Sequence, residues 1–184
     1  TPQLVSQDPL RFFMNHMSKT ILFIDGENFL HKIEEIIETE SKNKGLTKAI
    51  EINLNKLFEK PLQNISLTQK IFYGAKLHYH TDTPRKSQEL IRSQRKLINN
   101  LKKQGYDFIM AGNVRGQRVG RKVIFREKGV DVKIGVDLIS LACDGNLKTA
   151  ILCSSDSDLQ PAISELRKRK VEVIYLGFEI GPNK

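Results

Sequence analysis

The sequence predicts an α/β fold in three layers, with a central, mainly parallel sheet of about five strands flanked by helices. Three observations carry that expectation. From Thr20 onward, short continuous apolar runs alternate with segments of helical period, the pattern of strands covered on both faces by the helices that connect them. The chain is 184 residues long, enough for one domain with a core and short for two. Its composition, 39% hydrophobic and 28% charged with 12 Gly and 6 Pro, excludes disordered, collagen-like and fibrous classes.

Thr20 to Ile24 reads as a buried strand stopped by Asp25-Gly26, after which Phe29, Leu30, Ile33, Ile36 and Ile37 recur at helical spacing. Ser41 to Gly45 is a polar break, and Leu54, Leu57 and Phe58 predict a short second helix ended by Pro61. A second strand centres on Ile71, Phe72 and Tyr73. Pro84 suits the first turn of the longest helix, with Leu90, Ile91, Gln94, Leu97, Ile98 and Leu101 on one face and an end near Gly105. Arg85, Lys86, Arg92, Arg95, Lys96, Lys102 and Lys103 occupy its outer face. Tyr106 to Ala111 is a third strand. Residues 112–120 are expected to form a glycine- and arginine-rich loop able to reach over a ligand, with an extra short strand at Lys122 to Phe125. Asp131 to Cys143 reads as a helix that turns Val132, Val136, Ile139 and Leu141 or Ala142 inward. A fourth strand at Ala150 to Cys153, a helix from Leu159 to Arg169 and a fifth strand at Val171 to Leu176 complete the pattern, which implies right-handed crossovers.

The longest apolar runs, such as Ile21-Leu22-Phe23-Ile24, are far short of the roughly 18 residues of a membrane span, so no membrane association is expected. Cys143 and Cys153 lie in apolar segments and form no CxxC pair, which predicts buried, reduced thiols and a cytoplasmic setting. Residues 1–16 match no secretory pattern, and Met17 stands just before the first strand. The expected organisation is a disordered or non-native extension over residues 1–16 and a single domain over 17–184.

Thirty basic against 21 acidic residues give a formal charge of +9 and a pI near 9.6, which predicts attraction to polyanions. The excess is local. Residues 70–128 hold 15 basic and four acidic residues, whereas the rest of the chain holds 15 and 17. Such a segment suits phosphate contacts that ignore base sequence, and Arg85, Lys86, Arg92, Arg95, Arg115, Arg118, Arg121 and Lys122 are the candidate RNA-binding residues. A solvated helix face is the plainer reading of the same charges. Tyr73 and Tyr79 are candidates for stacking on bases, with core packing the more ordinary role of a strand tyrosine.

The acids fall at telling places. Asp25 directly follows the first predicted strand, and Asp156 and Asp158 follow the fourth; in an open parallel sheet these carboxyl ends form the ligand crevice. Asp131 opens a helix after Lys128-Gly129-Val130 and can project into the same crevice. Any one of them is accounted for by a turn or a helix cap; the three segments together point to chemistry. Carboxylates gathered so closely repel one another unless a cation compensates, and hard oxygen donors without a Cys or His cluster favour Mg²⁺ or Mn²⁺. Asn28, Ser154 and Ser155 are candidate supporting residues, through an amide and two hydroxyls near the acids. Asp137 is a second candidate to Asp131; six helical residues separate them by a net turn of about 240° and a rise of about 9 Å, so the two do not readily share one crevice.

Phe23-Ile24-Asp25-Gly26-Glu27-Asn28, Lys128-Gly129-Val130-Asp131-Val132 and Ser154-Ser155-Asp156-Ser157-Asp158-Leu159 resemble, in order, the motifs of the NYN domain, a PIN-like ribonuclease fold, most closely its LabA-like branch. The resemblance spans about Thr20 to Phe178. Ser155 stands where Gly is usual and Leu159 where an aromatic is usual, and neither change removes a carboxylate. What the resemblance implies is a Mg²⁺- or Mn²⁺-dependent ribonuclease with Asp25, Asp131 and Asp156 as metal ligands and catalytic acids, Asp158 as a further catalytic acid or supporting group, and RNA, single-stranded, as substrate.

Other readings fit less well. Asp25-Gly26-Glu27 matches the DxE start of a DEDD-type exonuclease, but that fold needs both acids within a strand. A phosphatase of the haloacid dehalogenase type wants a second aspartate where Glu27 stands. His78-x-His80 is a weak metal pair, and neither a Walker A motif nor a GxGxxG after a strand occurs. A reading from a different class is a non-catalytic RNA-binding or protein-interaction module on the same scaffold, its acids being structural caps.

Overall fold

Strand β1 (Lys19–Asp25) sits at the middle of the sheet, and its sequence explains why. Ile21, Leu22, Phe23 and Ile24 have no exposed surface, so a continuous apolar run is what a strand covered on both faces requires. In the computed structural model the described residues are 19–40, 51–81, 83–119 and 122–178, with the backbone alone for 38–40, 115–119 and 122–127. The expected extension over residues 1–16, the break from Ser41 to Gly45, and Arg121 lie outside them.

The strands β2 (Gln69–Lys76), β3 (Asp107–Val119), β4 (Lys122–Lys128), β5 (Leu147–Cys153) and β6 (Glu172–Tyr175) join β1 in one sheet of order β4-β3-β2-β1-β5-β6. Five strands run parallel, and β4 pairs antiparallel to β3. Helices α1 (Gly26–Glu40), α2 (Leu54–Glu59), α3 (Pro84–Lys103), α4 (Val130–Cys143) and α5 (Gln160–Lys168) cover it, and a 3-10 turn, Ser157–Leu159, leads into α5. This is the three-layer α/β architecture that the hydrophobic pattern predicts.

Side chains alternate across the sheet with period two, which divides the core. On one face Ile21, Phe23, Ile71 and Tyr73 pack against Ile134 and Leu138 of α4 and Ala162, Ile163 and Leu166 of α5. On the other, Leu22, Ile24 and Phe72 meet Phe29 and Ile33 of α1, Leu54 and Phe58 of α2, and Leu97 and Leu101 of α3. Each fully buried large side chain of this kind contributes about 1.5–3 kcal/mol of transfer free energy. Helix α2 is short and is held at its start: the Asn53 side chain accepts from the Lys56 amide at 3.0 Å, and Gln104 Oε1 accepts from the Leu54 amide at 2.6 Å.

Three expectations change. Residues 112–119 continue β3 instead of forming a loop, paired from Asn113↔Lys128 to Val119↔Lys122; the glycines and arginines look loop-like locally, but the ladder with Val123 to Phe125 overrides that preference. Helix α4 buries Val130, Ile134 and Leu138, while Val132 is 64% and Val136 51% exposed. Its apolar residues nearly encircle it, so periodicity alone offers two stripes, and packing chooses between them. Cys143 is exposed and only Cys153 is buried, both as free thiols. Among the described residues no helix is long and apolar enough to cross a membrane.

Gly26 marks where β1 passes directly into α1. A Cβ there would overlap the Phe72 ring and the Tyr73 carbonyl oxygen, neither of which has room to retreat. Gly26→Ala is expected to lower stability by about 1–3 kcal/mol, read as a lower urea midpoint at unchanged m-value.

Candidate active site

The parallel pairing of β1 with β5 runs to Ile24↔Cys153, so the next residues on the two strands, Asp25 and Ser154, emerge side by side at the carboxyl edge. Asp25 is only 6% exposed. Its Oδ2 accepts from Ser154 Oγ at 3.0 Å and its Oδ1 from the Asn28 amide at 3.3 Å. Burial nevertheless holds its carboxyl above the usual carboxylate range, and the negative charges of Asp156 and Asp131 add to the effect; the two hydrogen bonds oppose it. The neighbouring Cys153 thiol is pushed up to about 12 by burial and by the Asp25 charge, which makes it an unreactive thiol.

Ser154 Oγ also accepts from the Asp156 amide at 3.1 Å, and Asp156 Oδ1 in turn accepts from the Asp158 amide at 2.9 Å, capping the 3-10 turn. Asn28 Nδ2 donates to Ser155 Oγ at 3.0 Å, and the Ser155 amide donates to Asn28 Oδ1 at 3.3 Å. The supporting trio of Asn28, Ser154 and Ser155 thus ties the end of β1 to the end of β5. From the other side of the cleft comes α4, whose first turn carries Asp131.

These elements enclose a cleft of about 390 Å³ lined by Asp25, Glu27, Lys128, Gly129, Val130, Asp131, Val132 and Asp156. Asp25, Asp131 and Asp156 therefore converge from three separate segments. Asp158 does not line the cleft and acts through its backbone amide. Asp137 faces elsewhere: it accepts from Tyr73 Oη at 3.0 Å and pairs with Lys133. Tyr73 itself is fully buried, so it packs in the core and offers no stacking surface. His78 and His80 line a separate small pocket with Leu77, Ser87, Leu90 and Val114, where a His78 ring nitrogen meets Asn113 Oδ1 at 2.9 Å.

Sequence reasoning overlooked Glu27 and Lys128 as wall residues. Both sit inside the quoted motifs, two residues after Asp25 and three before Asp131, and that nearness to the acids was the available signal. Among the candidate RNA-binding residues, Arg85, Lys86, Arg92 and Arg95 are exposed along α3, Arg115 and Arg118 lie on β3, and Lys122 opens β4.

A family model, that of the NYN domain, matches residues 19–184. The chain belongs to the NYN domain family. No curated protein and no solved structure matches it. NYN domains are PIN-like nucleases, a kinship that points to ribonuclease chemistry, and such nucleases generally use divalent metals. Among the described residues no group of three or more His, Cys, Asp or Glu is arranged to hold an ion. The donor set still suits one: the cleft of this NYN domain gathers carboxylate oxygens alone, with a mutual repulsion that raises Asp25, and a hard divalent cation relieves that repulsion. Asp25, Asp131 and Asp156 are the residues that would hold it.

The raised carboxyl of Asp25 has a definite sign in stability. Below the usual carboxylate range the group is neutral in folded and unfolded chains alike and costs nothing; as pH rises through its folded-state value, the native protein must carry a charge in a poor environment. In EDTA, Asp25→Asn is expected to unfold at a higher urea concentration than the wild type at pH 7, and to lose that advantage near pH 3. An equal offset at both pH values would show that the carboxyl is not raised.

Proposed function

We propose that this NYN domain is a Mg²⁺- or Mn²⁺-dependent ribonuclease of the cytoplasm that hydrolyses single-stranded RNA, and that it belongs to the LabA-like branch. One observation carries the proposal: three aspartates from β1, α4 and the β5 end meet in one cleft, and the most buried of them is raised by the other two. The branch is supported by the order and wording of the three motifs around Asp25, Asp131 and Asp156.

Held by Asp25, Asp131 and Asp156, a divalent ion supplies charge to a non-bridging phosphate oxygen and acidifies a water for attack. The chain's own residues do the rest. Ser154 and the Asn28 amide hold both Asp25 oxygens in place, so the carboxylate does not rotate away when substrate enters. Asp156 is pinned through its amide by Ser154 and through Oδ1 by the Asp158 amide. Lys128 brings an ammonium to the wall, where it attracts a phosphate carrying extra negative charge. Exposed Arg85, Lys86, Arg92 and Arg95 on α3 hold the strand by its backbone. Departure of the 3′ oxygen leaves a product with a 5′-phosphate.

End-labelled single-stranded RNA incubated with the protein in Mg²⁺, Mn²⁺ or EDTA, beside Asp156→Asn, tests this. Cleavage is expected with either ion, absent in EDTA, and at least about 100-fold slower in the variant. Cleavage that survives both EDTA and Asp156→Asn would refute the metal–acid mechanism, and binding without cleavage under every ion would assign the chain to the non-catalytic RNA-binding class. Charge reversal at Arg92 and Arg95 together is expected to weaken RNA binding and to flatten the slope of log K against log salt by about 1.4, the value for two phosphates of a single strand. An unchanged slope would place the RNA away from α3.

A further inference from the structure

Strand β3 has 13 residues where β2 beside it has 8. The two pair in parallel only as far as Lys76↔Asn113. Beyond that point β3 is paired with β4 alone. A two-stranded ribbon therefore leaves the sheet at its carboxyl edge, the edge at which Asp25 and Asp156 stand, and at about 3.3 Å per residue it reaches about 20 Å past the last β2 contact.

Its root is also the wall of the cleft. Asn113 stands opposite Lys128, and Lys128, Gly129, Val130 and Asp131 line the cleft in succession. Gly112, at φ +67°, comes so close to Lys128 that a Cβ would overlap the Lys128 carbonyl oxygen. The ribbon and the helix start that carries Asp131 are thus joined through one close backbone contact.

The register sorts the charges. With period two, Asn113, Arg115, Gln117 and Val119 share a face with their partners Lys128, Arg126, Ile124 and Lys122. That face places Arg115 directly opposite Arg126, has a lysine at each end and holds no acid. The other face holds the ribbon's one acid, Glu127, together with Val114, Gly116, Arg118, Val123 and Phe125. Like charges directly opposite one another destabilise an antiparallel pair, and a polyanion laid along that face removes the penalty.

We infer that this ribbon is a clamp for the RNA backbone, its basic face taking successive phosphates of one strand as that strand leaves the acid cleft. The substrate class follows: RNA that continues for several nucleotides beyond the cleft on the ribbon side, which short oligonucleotides do not supply. The inference rests on the ribonuclease reading for what happens in the cleft; the charge register of the ribbon stands apart from it.

The test is fluorescence anisotropy of a labelled RNA dodecamer on the full chain in EDTA, where the RNA stays intact, as a function of salt. Arg115→Glu and the double variant Arg115→Gln/Arg126→Gln are compared with the wild type. Both are expected to bind about tenfold or more weakly at moderate salt, with a salt slope flatter by about 1.4 for two lost phosphates. Melting temperature is expected to hold or rise in Arg115→Glu, because opposite charges then face each other. Unchanged affinity and slope would overturn the clamp. So would weaker binding that tracks a fall in melting temperature in both variants, or self-association of the variants, which would make the charges a guard on the edge strand β4. If the variants weaken binding while the wild type never cleaves RNA in Mg²⁺ or Mn²⁺, the clamp stands and the ribonuclease reading fails.

Discussion

Asp25 is a carboxylate at the end of a strand that has no solvent on either face, and the site is organised around that constraint. Burial in the parallel sheet fixes where Asp25 is, and it also makes charging it unfavourable. The protein answers with two hydrogen bonds, from Ser154 and the Asn28 amide, then sets two more acids within electrostatic reach. In a molecule that only had to fold, this arrangement would be counterproductive. It becomes intelligible when the strand end must present negative charge that a bound cation offsets, since stability given up at a binding site is recovered when the ligand binds.

The same strand pairing governs the far wall. Tyr73 stands opposite Asp25 in the register of β1 with β2, and its hydroxyl reaches Asp137 on α4. Burial, then the nearby Asp137 charge, pushes this hydroxyl above its ordinary range, so it remains a donor. Asp137 is held from the other side by Lys133. This contact selects one of the two apolar stripes of α4: with Asp137 turned toward the sheet, Ile134 and Leu138 go inward, Val132 and Val136 go outward, and Asp131 comes to the cleft. A hydrogen bond beneath the helix thereby settles which acid of the helix meets the other two.

The fold was largely legible because a parallel sheet leaves continuous apolar runs, and β1, β2 and β5 are runs of that kind. The acids were legible because strand ends in such a sheet converge whatever the details of the helices. Failures came where local signals compete with tertiary ones. Gly112, Gly116 and the arginines read locally as a loop, and only pairing with a distant partner strand makes them a ladder. The stripe of α4 failed because Val and Ile sit on several sides of the helix, leaving the choice to Tyr73, a contact across 64 residues of sequence. Cys143 followed the same error, being placed inward on a helix whose last turn is exposed. Glu27 and Lys128 drew no notice because nothing in their spacing sets them apart from ordinary first-turn and strand-end residues.

Net charge also means something different once its parts are located. Lys70 belongs to the basic segment by sequence, yet its ammonium lies over the Tyr106 ring at 4.3 Å and donates to Asn55 Oδ1 and the Gln104 carbonyl, each at 2.8 Å, so it serves the fold rather than a polyanion. The charges left for a nucleic acid are those of α3 and the ribbon. A polyanion drawn to them meets, at the root of the ribbon, three aspartates that repel it. Attraction over the basic surfaces is long-ranged and screened by salt, whereas repulsion in the cleft acts over a few ångströms between partly buried groups and is screened far less. A cation between the acids reverses the sign of the cleft alone and leaves the surface untouched, so occupancy of the cleft decides whether a strand that is already bound also enters it.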